Sequence, residues 1–270
     1  MKRIHLLFIF ASLLVFSACE KVIYPDLSNG KTLVVIQGRI STDSAPWMVK
    51  LTYTQDYFSG AKPKTISGAV VTVSDNLGYL DTLYESSVDT LKGQYFTQKF
   101  NKCIPGNIYT LTAVVDGKTY TAAERCPFQK PIDSLTYEFR KKSGFIREGY
   151  YVTEHAQENE GPGDYYLWEI YRNDTLINDF GYFVNDDAFV NGNYIRASFP
   201  FPFQQNDSVR VDQFAITKQW YNYLIAAQTE ASKSGSPFDS PPANPVSNVT
   251  GGAIGYFAVV NLQRAAIRLK

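Results

Sequence analysis

Short apolar runs that alternate with a period of two, each cut off by turn-forming residues, dominate this chain and restrict it to β structure. The clearest case is "NIYTLTAVVDGKTYTAAERC", residues 107–126, in which Tyr109, Leu111, Ala113 and Val115 recur at every second position before Asp116-Gly117. Successive side chains of an extended strand point to opposite faces, so this pattern buries one face and leaves the other in water. A two-residue type I′ turn needs positive φ at both central positions, which Asp-Gly supplies. The segment therefore predicts a tight hairpin in which Val115 faces Lys118 and Asn107 faces Cys126. Five further runs, "TLVVIQGRI", "WMVKLTYT", "ISGAVVTVSD", "GYLDTLYE" and "GQYFTQKF", precede it. Seven short strands with turn signals between them predict a β-sandwich over residues 31–126.

"CPFQKPIDSLTYEF", residues 126–139, carries two prolines and reads as a linker entering a new strand. Residues 127–270 are expected to form a second, β-rich domain with strands in "DYYLWEIYRNDT", "INDFGYFVND", "YIRASFPF" and "DSVRVDQFAIT". The period then changes. Trp220, Leu224, Ala227 and Ala231 recur at spacings of four and three behind Thr217, a good N-cap, and predict one amphipathic helix over residues 217–233. A Pro/Gly/Ser/Asn loop follows, and "AIGYFAVVNLQRAAIRL" closes the chain as one or two strands. The fold class is mainly β, with no internal repeat of fixed period.

The start of the chain has a different character. Lys2 and Arg3 precede an apolar run from Leu6 to Phe16, which at ~1.5 Å per residue is too short for a ~30 Å bilayer core. Residues 1–18 are therefore expected to be a signal peptide, not a membrane helix. Ser17 and Ala18 lead straight into Cys19, which resembles the lipobox of bacterial lipoproteins, with Phe16 where leucine is usual. That resemblance implies acylation of Cys19 and attachment to outer-membrane lipid, with residues 19–30 as a tether. Several acyl chains hold a protein stably where one holds it marginally.

The full chain has a formal net charge of zero. Loss of Lys2 and Arg3 with the signal peptide leaves a slight acidic excess and no electrostatic case for nucleic acid. His155 is then the remaining histidine, and Cys103 and Cys126 the remaining cysteines beside Cys19. If the "CIPG" turn at 103–106 folds back, the sulfurs of Cys103 and Cys126 meet. A disulfide there is permitted in an exported protein and is worth ~3 kcal/mol, but Cα separation decides it.

Catalytic apparatus is hard to find. His155, in "YVTEHAQENEGPGDYY", has no G-x-S-x-G elbow or S-x-x-K beside it, and reads as a solvated histidine in a polar loop. Zinc patterns of the H-E-x-x-H or paired C-x-x-C kind are lacking. Glu154, Glu158, Glu160 and Asp164 flank His155, and "NDDAFVNGN" adds Asn185, Asp186, Asp187, Asn191 and Asn193. The second group has oxygen ligands suited to calcium without the EF-hand order, and reads as a solvated turn. No catalytic residue, metal site or cofactor is assigned. Aromatic residues make up 15% of the chain, enough for a binding surface on sugar rings or on a partner protein. Loop aromatics are the candidates: Tyr57, Phe58, Phe199, Phe201, Phe203 and Phe238. "FPFPF", residues 199–203, is open to two readings: prolines presenting phenylalanines to a ligand, or an edge strand tucked onto the core.

"Gly68-Ala-Val-Val-Thr-Val", "Gly93-Gln-Tyr95" and "Pro105-Gly-Asn-Ile-Tyr-Thr-Leu" follow the order seen in transthyretin-like domains, and that resemblance implies a small prealbumin- or immunoglobulin-like sandwich. Over the whole mature chain, "CEKVI", "LVVIQGRI", "ISGAVVTVSD", "GNIYTLTAVVDGKTYTA", "PIDSL" and "PPANPVSNVTGGAIGYFAV" resemble the Bacteroidota lipoproteins grouped as domain of unknown function 4249. This resemblance implies an outer-membrane lipoprotein that is not an enzyme, accessory to a TonB-dependent β-barrel receptor in nutrient uptake. The alternatives are a stand-alone module at the cell surface that binds a small nutrient or glycan, and an envelope hydrolase using Asp or Glu pairs.

Overall fold

The computed structural model describes residues 31–55, 60–99, 101–179, 181–188, 192–234 and 239–270. All seven strands expected in the first half are present: β1 (Val34–Ser41), β2 (Met48–Tyr53), β3 (Val70–Asp75), β4 (Leu80–Glu85), β5 (Gln94–Thr97), β6 (Ile108–Val115) and β7 (Lys118–Arg125). β6 and β7 pair antiparallel with Val115 opposite Lys118. Asp116 and Gly117 have φ of 49° and 78°, the left-handed values that a type I′ turn demands. Tyr109, Leu111, Ala113 and Val115 are buried and their neighbours half-exposed, so the period-two pattern is realised without a break.

The second half contains β8 (Ile132–Arg140), β9 (Gly149–Gln157), β10 (Tyr165–Arg172), β11 (Thr175–Leu176), β12 (Phe183–Asp186), β13 (Tyr194–Ser198), β14 (Ser208–Ile216), the helix α1 (Lys218–Ala231) and β15 (Ile254–Arg268). The expected polar loop around His155 is instead the strand β9. Its polar residues Thr153, His155 and Gln157 are the outer alternates, while Val152, Glu154 and Ala156 are buried. It is hydrogen-bonded on both sides, to β8 and to β13, and that pairing outweighs its polar composition.

Residue 126 does not divide the chain into two separate sheets. β15 is one 15-residue strand whose first part, from Ile254, runs parallel to β1. Its second part, from Asn261 to Arg268, runs antiparallel to β14. A 12-stranded sheet results, in the order β11-β10-β14-β15-β1-β2-β5-β4-β3-β6-β7, with β12 paired to β10. At the far edge Ala122 of β7 bridges Val249, and the Thr250 N–H donates to Thr121 O at 2.8 Å, on the segment that leads into β15. The sheet thus curls back on itself around a core that includes Ile36, Leu51, Val73, Leu111 and Phe257. β8, β9 and β13 form a separate three-stranded sheet.

Alternation along the shared strands serves three cores at once. From β15, Phe257 and Val259 enter the first core, while Tyr256, Ala258 and Val260 lie beneath α1 with Leu167, Phe214, Trp220 and Leu224. From β10 and β14, Tyr166, Trp168, Ile170, Val209 and Val211 face a third core with Val152 of β9. Thr217 caps α1, its Oγ1 accepting from the Trp220 N–H at 3.2 Å. Among the described residues no helix is long and apolar enough to cross a membrane.

The Cys103–Cys126 disulfide is not formed; both are free, buried thiols. Cys126 N–H donates to Asn107 O, but its Sγ is turned toward Val260 O at 3.8 Å, while the Cys103 N–H donates to Ser41 O on the β1 side. Burial pushes the Cys126 thiol up to about 12 and raises Cys103 as well, so neither supplies thiolate at neutral pH. In the folded protein both should resist iodoacetamide, and under non-reducing denaturation both should be alkylated. An intact mass two daltons low with neither labelled would mean that the bond exists.

Candidate functional site

α1 covers β10, β14 and part of β15 but stops short of β1 and β2. The outward residues Gln37 and Arg39 of β1 and Met48 and Lys50 of β2 are left as the floor of a cleft. Its walls are Leu167 and Glu169 from β10, Tyr182 from the loop before β12, Tyr256 from β15, and Trp220, Tyr223 and Leu224 from α1, around a volume of about 350 Å³. Four aromatic rings and one ion pair therefore face a common space. A neighbouring hollow shares Leu167, Glu169 and Tyr182, and another shares Tyr223 and Tyr256, so the depression continues along both sides of the helix.

Each wall is held in place. Tyr256 stacks with Trp220 at 6.4 Å between centroids and meets Tyr223 at 5.0 Å. Tyr182 is 48% exposed, and its N–H donates to Gln228 Oε1 of α1 at 2.8 Å. Gly181, with φ of 74°, lets the loop press against that Gln228 side chain. Arg39 binds Glu169 through its two terminal guanidinium nitrogens at 2.5 and 3.4 Å, and its guanidinium lies 4.8 Å from the Phe214 ring centroid. Tyr171 O–H donates to Glu169 Oε2 at 3.0 Å, leaving the carboxylate a fixed acceptor at the cleft edge.

Behind the cleft sits Glu124 of β7, 5% exposed. Its carboxylate accepts from Thr217 Oγ1, from Asn248 Nδ2 at 2.9 Å and from Tyr256 O–H at 3.2 Å. Asn248 also pairs with both backbone groups of Phe257, at 2.8 and 3.0 Å. One acidic group thus joins the helix cap, the loop after the helix and the cleft tyrosine. Burial pushes its carboxyl up to about 7 against the lowering effect of those three donors.

A second acidic assembly lies elsewhere. Glu158, Asp164 and Asp187 come from the two segments that the sequence presents as separate polar loops, yet their carboxylate oxygens lie within 4.8 Å of one another. Glu158 is 1% and Asp187 4% exposed, so neither is in a solvated turn. Glu158 accepts from Tyr166 O–H at 3.0 Å and Gly192 N–H at 2.7 Å, Asp187 from Gly163 N–H at 2.8 Å, and Asp164 from Asn159 Nδ2 at 3.0 Å. Burial and the adjacent Asp164 raise the Glu158 carboxyl. These hard oxygens are the described residues that could hold a cation such as calcium, although the fold already uses an oxygen of each. They are closer together than the ~5 to 9.5 Å of a glycosidase pair.

The loop aromatics fare differently from expectation. Phe199, Phe201 and Phe203 are 5%, 2% and 1% exposed and form no binding surface. The N–H groups of Phe199 and Phe203 donate to Val152 O and Tyr150 O of β9, and the rings pack into the third core, Phe201 5.4 Å from Phe203 and 5.6 Å from Phe183. Two prolines are tolerated because the ladder draws on the N–H groups of the phenylalanines. Tyr57, Phe58, Phe238 and Cys19 lie outside the described residues. His155 is half-buried on β9 with its Nε2 2.8 Å from Thr136 Oγ1.

A family described as Domain of unknown function (DUF4249) matches residues 20–265. The chain belongs to this family. No curated protein matches it. The DUF4249 region takes in every lining residue of the cleft, from Gln37 to Tyr256. Of that lining, sequence reasoning had singled out Trp220 and Leu224, through the helical period. It missed Arg39, Glu169, Tyr182, Tyr223 and Tyr256, because strand alternation marks them as outward or helix-facing without saying which elements converge.

Proposed function

We propose that this DUF4249 protein is a lipid-anchored binding component of the outer membrane, attached through Cys19, that works beside a TonB-dependent β-barrel receptor in nutrient uptake. The reading is of a binding protein, not an enzyme. The observation that carries the binding role is the cleft, in which Tyr182, Trp220, Tyr223 and Tyr256 surround about 350 Å³ beside the Arg39–Glu169 pair. That size falls within the range of small-molecule sites, which are mostly apolar with a few fixed polar groups. The lipobox-like Ser17-Ala18-Cys19 and the tether behind it support the location. The test is to purify the lipidated protein from its native outer membrane and identify its companions by mass spectrometry. A large β-barrel receptor in stoichiometric amount is expected, and recovery of the lipoprotein alone would count against the accessory role.

The same cleft favours a second reading, a stand-alone saccharide-binding module. The exposed Tyr182 and the half-buried Tyr223 offer faces for sugar rings, and Arg39, Lys50 and Glu169 offer hydrogen bonds to hydroxyls. On this reading the isolated protein binds a saccharide without any receptor. Tyr182→Ala should then weaken binding about tenfold, the cost of one lost aromatic contact, while leaving the melting temperature unchanged. Equal affinity in the variant would place the ligand elsewhere.

A further inference from the structure

The β8–β9 hairpin ends in a turn whose sequence exceeds what the turn needs. Ser143 and Ile146 exchange both backbone hydrogen bonds, at 3.1 and 2.9 Å, so Gly144-Phe145 is a two-residue loop. Gly144 has φ of 56°. Glycine at the first central position is the requirement of a type II′ turn, and the second position accepts almost any residue. Phe145 occupies it at 107% exposure, with Ile146 at 43% and Phe139 at 52% nearby. A serine would close the turn equally well, so the phenylalanine is not explained by folding.

The charges around it have one dominant sign. Residues 141–148 are all exposed, and among the described residues Lys141, Lys142 and Arg147 make no ion pair, with Glu148 the anion of the segment. Arg140 is paired with Glu138 at 2.5 Å and lies over Tyr151. The base of the hairpin is fixed: Tyr151 O–H donates to Arg147 O at 2.8 Å, Phe139 meets Tyr150 edge-on at 5.2 Å, and Tyr150 bridges Phe203. The fold thus holds an apolar apex, ringed by unpaired cations, out in solvent.

We propose that this tip is a second membrane contact, in which Phe145 and Ile146 enter the interface of an anionic phospholipid bilayer and Lys141, Lys142 and Arg147 bind its phosphates. Apolar side chains at the acyl boundary with cations at the headgroups are the arrangement by which interfacial segments bind anionic lipid. Charge decides between a bilayer and a protein pocket, since a surface of repeated phosphates complements at once three cations that outnumber the single carboxylate of the segment. The proposal rests on the lipid-anchor reading of Cys19: residues 20–30, fully extended, reach about 40 Å at most, which keeps the body close to the bilayer.

The test uses the processed chain from residue 19 with Cys19→Ser, which carries no acyl group, and vesicles of phosphatidylglycerol with phosphatidylethanolamine or of phosphatidylcholine alone. Binding to the anionic vesicles, falling with salt, is the expected result. Phe145→Ser and the pair Lys141→Glu with Lys142→Glu should each weaken it about tenfold, with circular dichroism unchanged. In Phe145→Trp the new indole emission should shift to the blue on anionic vesicles. Wild-type binding in these variants, or no binding and no shift, overturns the proposal. A shift produced only by a membrane protein would make the occupant a protein pocket and overturn it equally. Acylation of Cys19 is read separately from the mass of native protein, so an unmodified cysteine beside intact vesicle binding sinks the anchor alone.

Discussion

Gly255→Ala is expected to unfold the protein at room temperature. Gly255 sits where β15 starts its parallel pairing with β1, opposite Ile36, and has φ of 102°. A Cβ at this position would lie 2.1 Å from Ile36 O, 2.9 Å from Ile36 C and 3.0 Å from Ile36 N. All three are backbone atoms of a residue with no exposed surface, so no side chain can swing away to make room. Relief requires β15 to leave β1, and β15 also carries Phe257 and Val259 into the first core and pairs with β14. The loss should exceed ~4 kcal/mol, a range reached only by changes of this kind. Gly117→Ala is the control: its φ is 78° but nothing lies within 4 Å of the added carbon, so it should cost about 1 kcal/mol. Urea unfolding followed by tryptophan fluorescence compares them, with Trp47 in the first half and Trp168 and Trp220 in the second. If Gly255→Ala kept a midpoint near that of Gly117→Ala, the β1–β15 pairing would be wrong.

The same seam shows how far the sequence could be read. Hairpin and helix are local objects: Asp116-Gly117 supplies the turn geometry within two residues, and Thr217 with the spacing of Trp220 and Leu224 marks the helix within a few more. The strand β15 is legible as a strand too, but its partners β1 and β14 are set by which apolar faces find each other. A boundary at residue 126 follows naturally from the Pro-rich linker, and the pairing that crosses it leaves no local mark. β9 was missed for a related reason, because its outer alternates are polar and its inner ones include Glu154. Loop position suggests exposure, which holds for Phe145 at its turn but not for Phe199, Phe201 and Phe203, which are buried. In each case a neighbouring strand decides: β9 receives the "FPFPF" segment, while nothing described covers the tip of the β8–β9 hairpin.

Between pH 5 and pH 8 the wild-type protein should lose roughly 2–3 kcal/mol more stability than Glu154→Gln. Glu154 has no exposed surface; Oε2 accepts from Trp168 Nε1 at 3.0 Å, and Oε1 is buried without a partner among the described residues. Burial pushes this carboxyl from 4.5 up to about 7, with the Trp168 hydrogen bond opposing. The unfolded chain therefore gives up its proton near pH 4.5 while the fold still holds it. Stability is fully present below about 4.5, falls as pH rises toward 7, and levels off once both states are ionised. Glutamine keeps the acceptor that the indole needs and cannot ionise, so the variant should lack this part of the slope. Glu124 shifts in the same direction, but its three donors also fix the helix cap and Tyr256, so replacing it would mix ionisation with lost structure. Urea unfolding of wild type and Glu154→Gln at the two pH values gives the difference directly. Parallel slopes would mean that the second oxygen of Glu154 has a partner stabilising its charge. A steeper wild-type slope would identify the acceptor for Trp168 as a carboxylic acid kept neutral by its surroundings, and would explain how an acidic residue comes to occupy an inner position of β9.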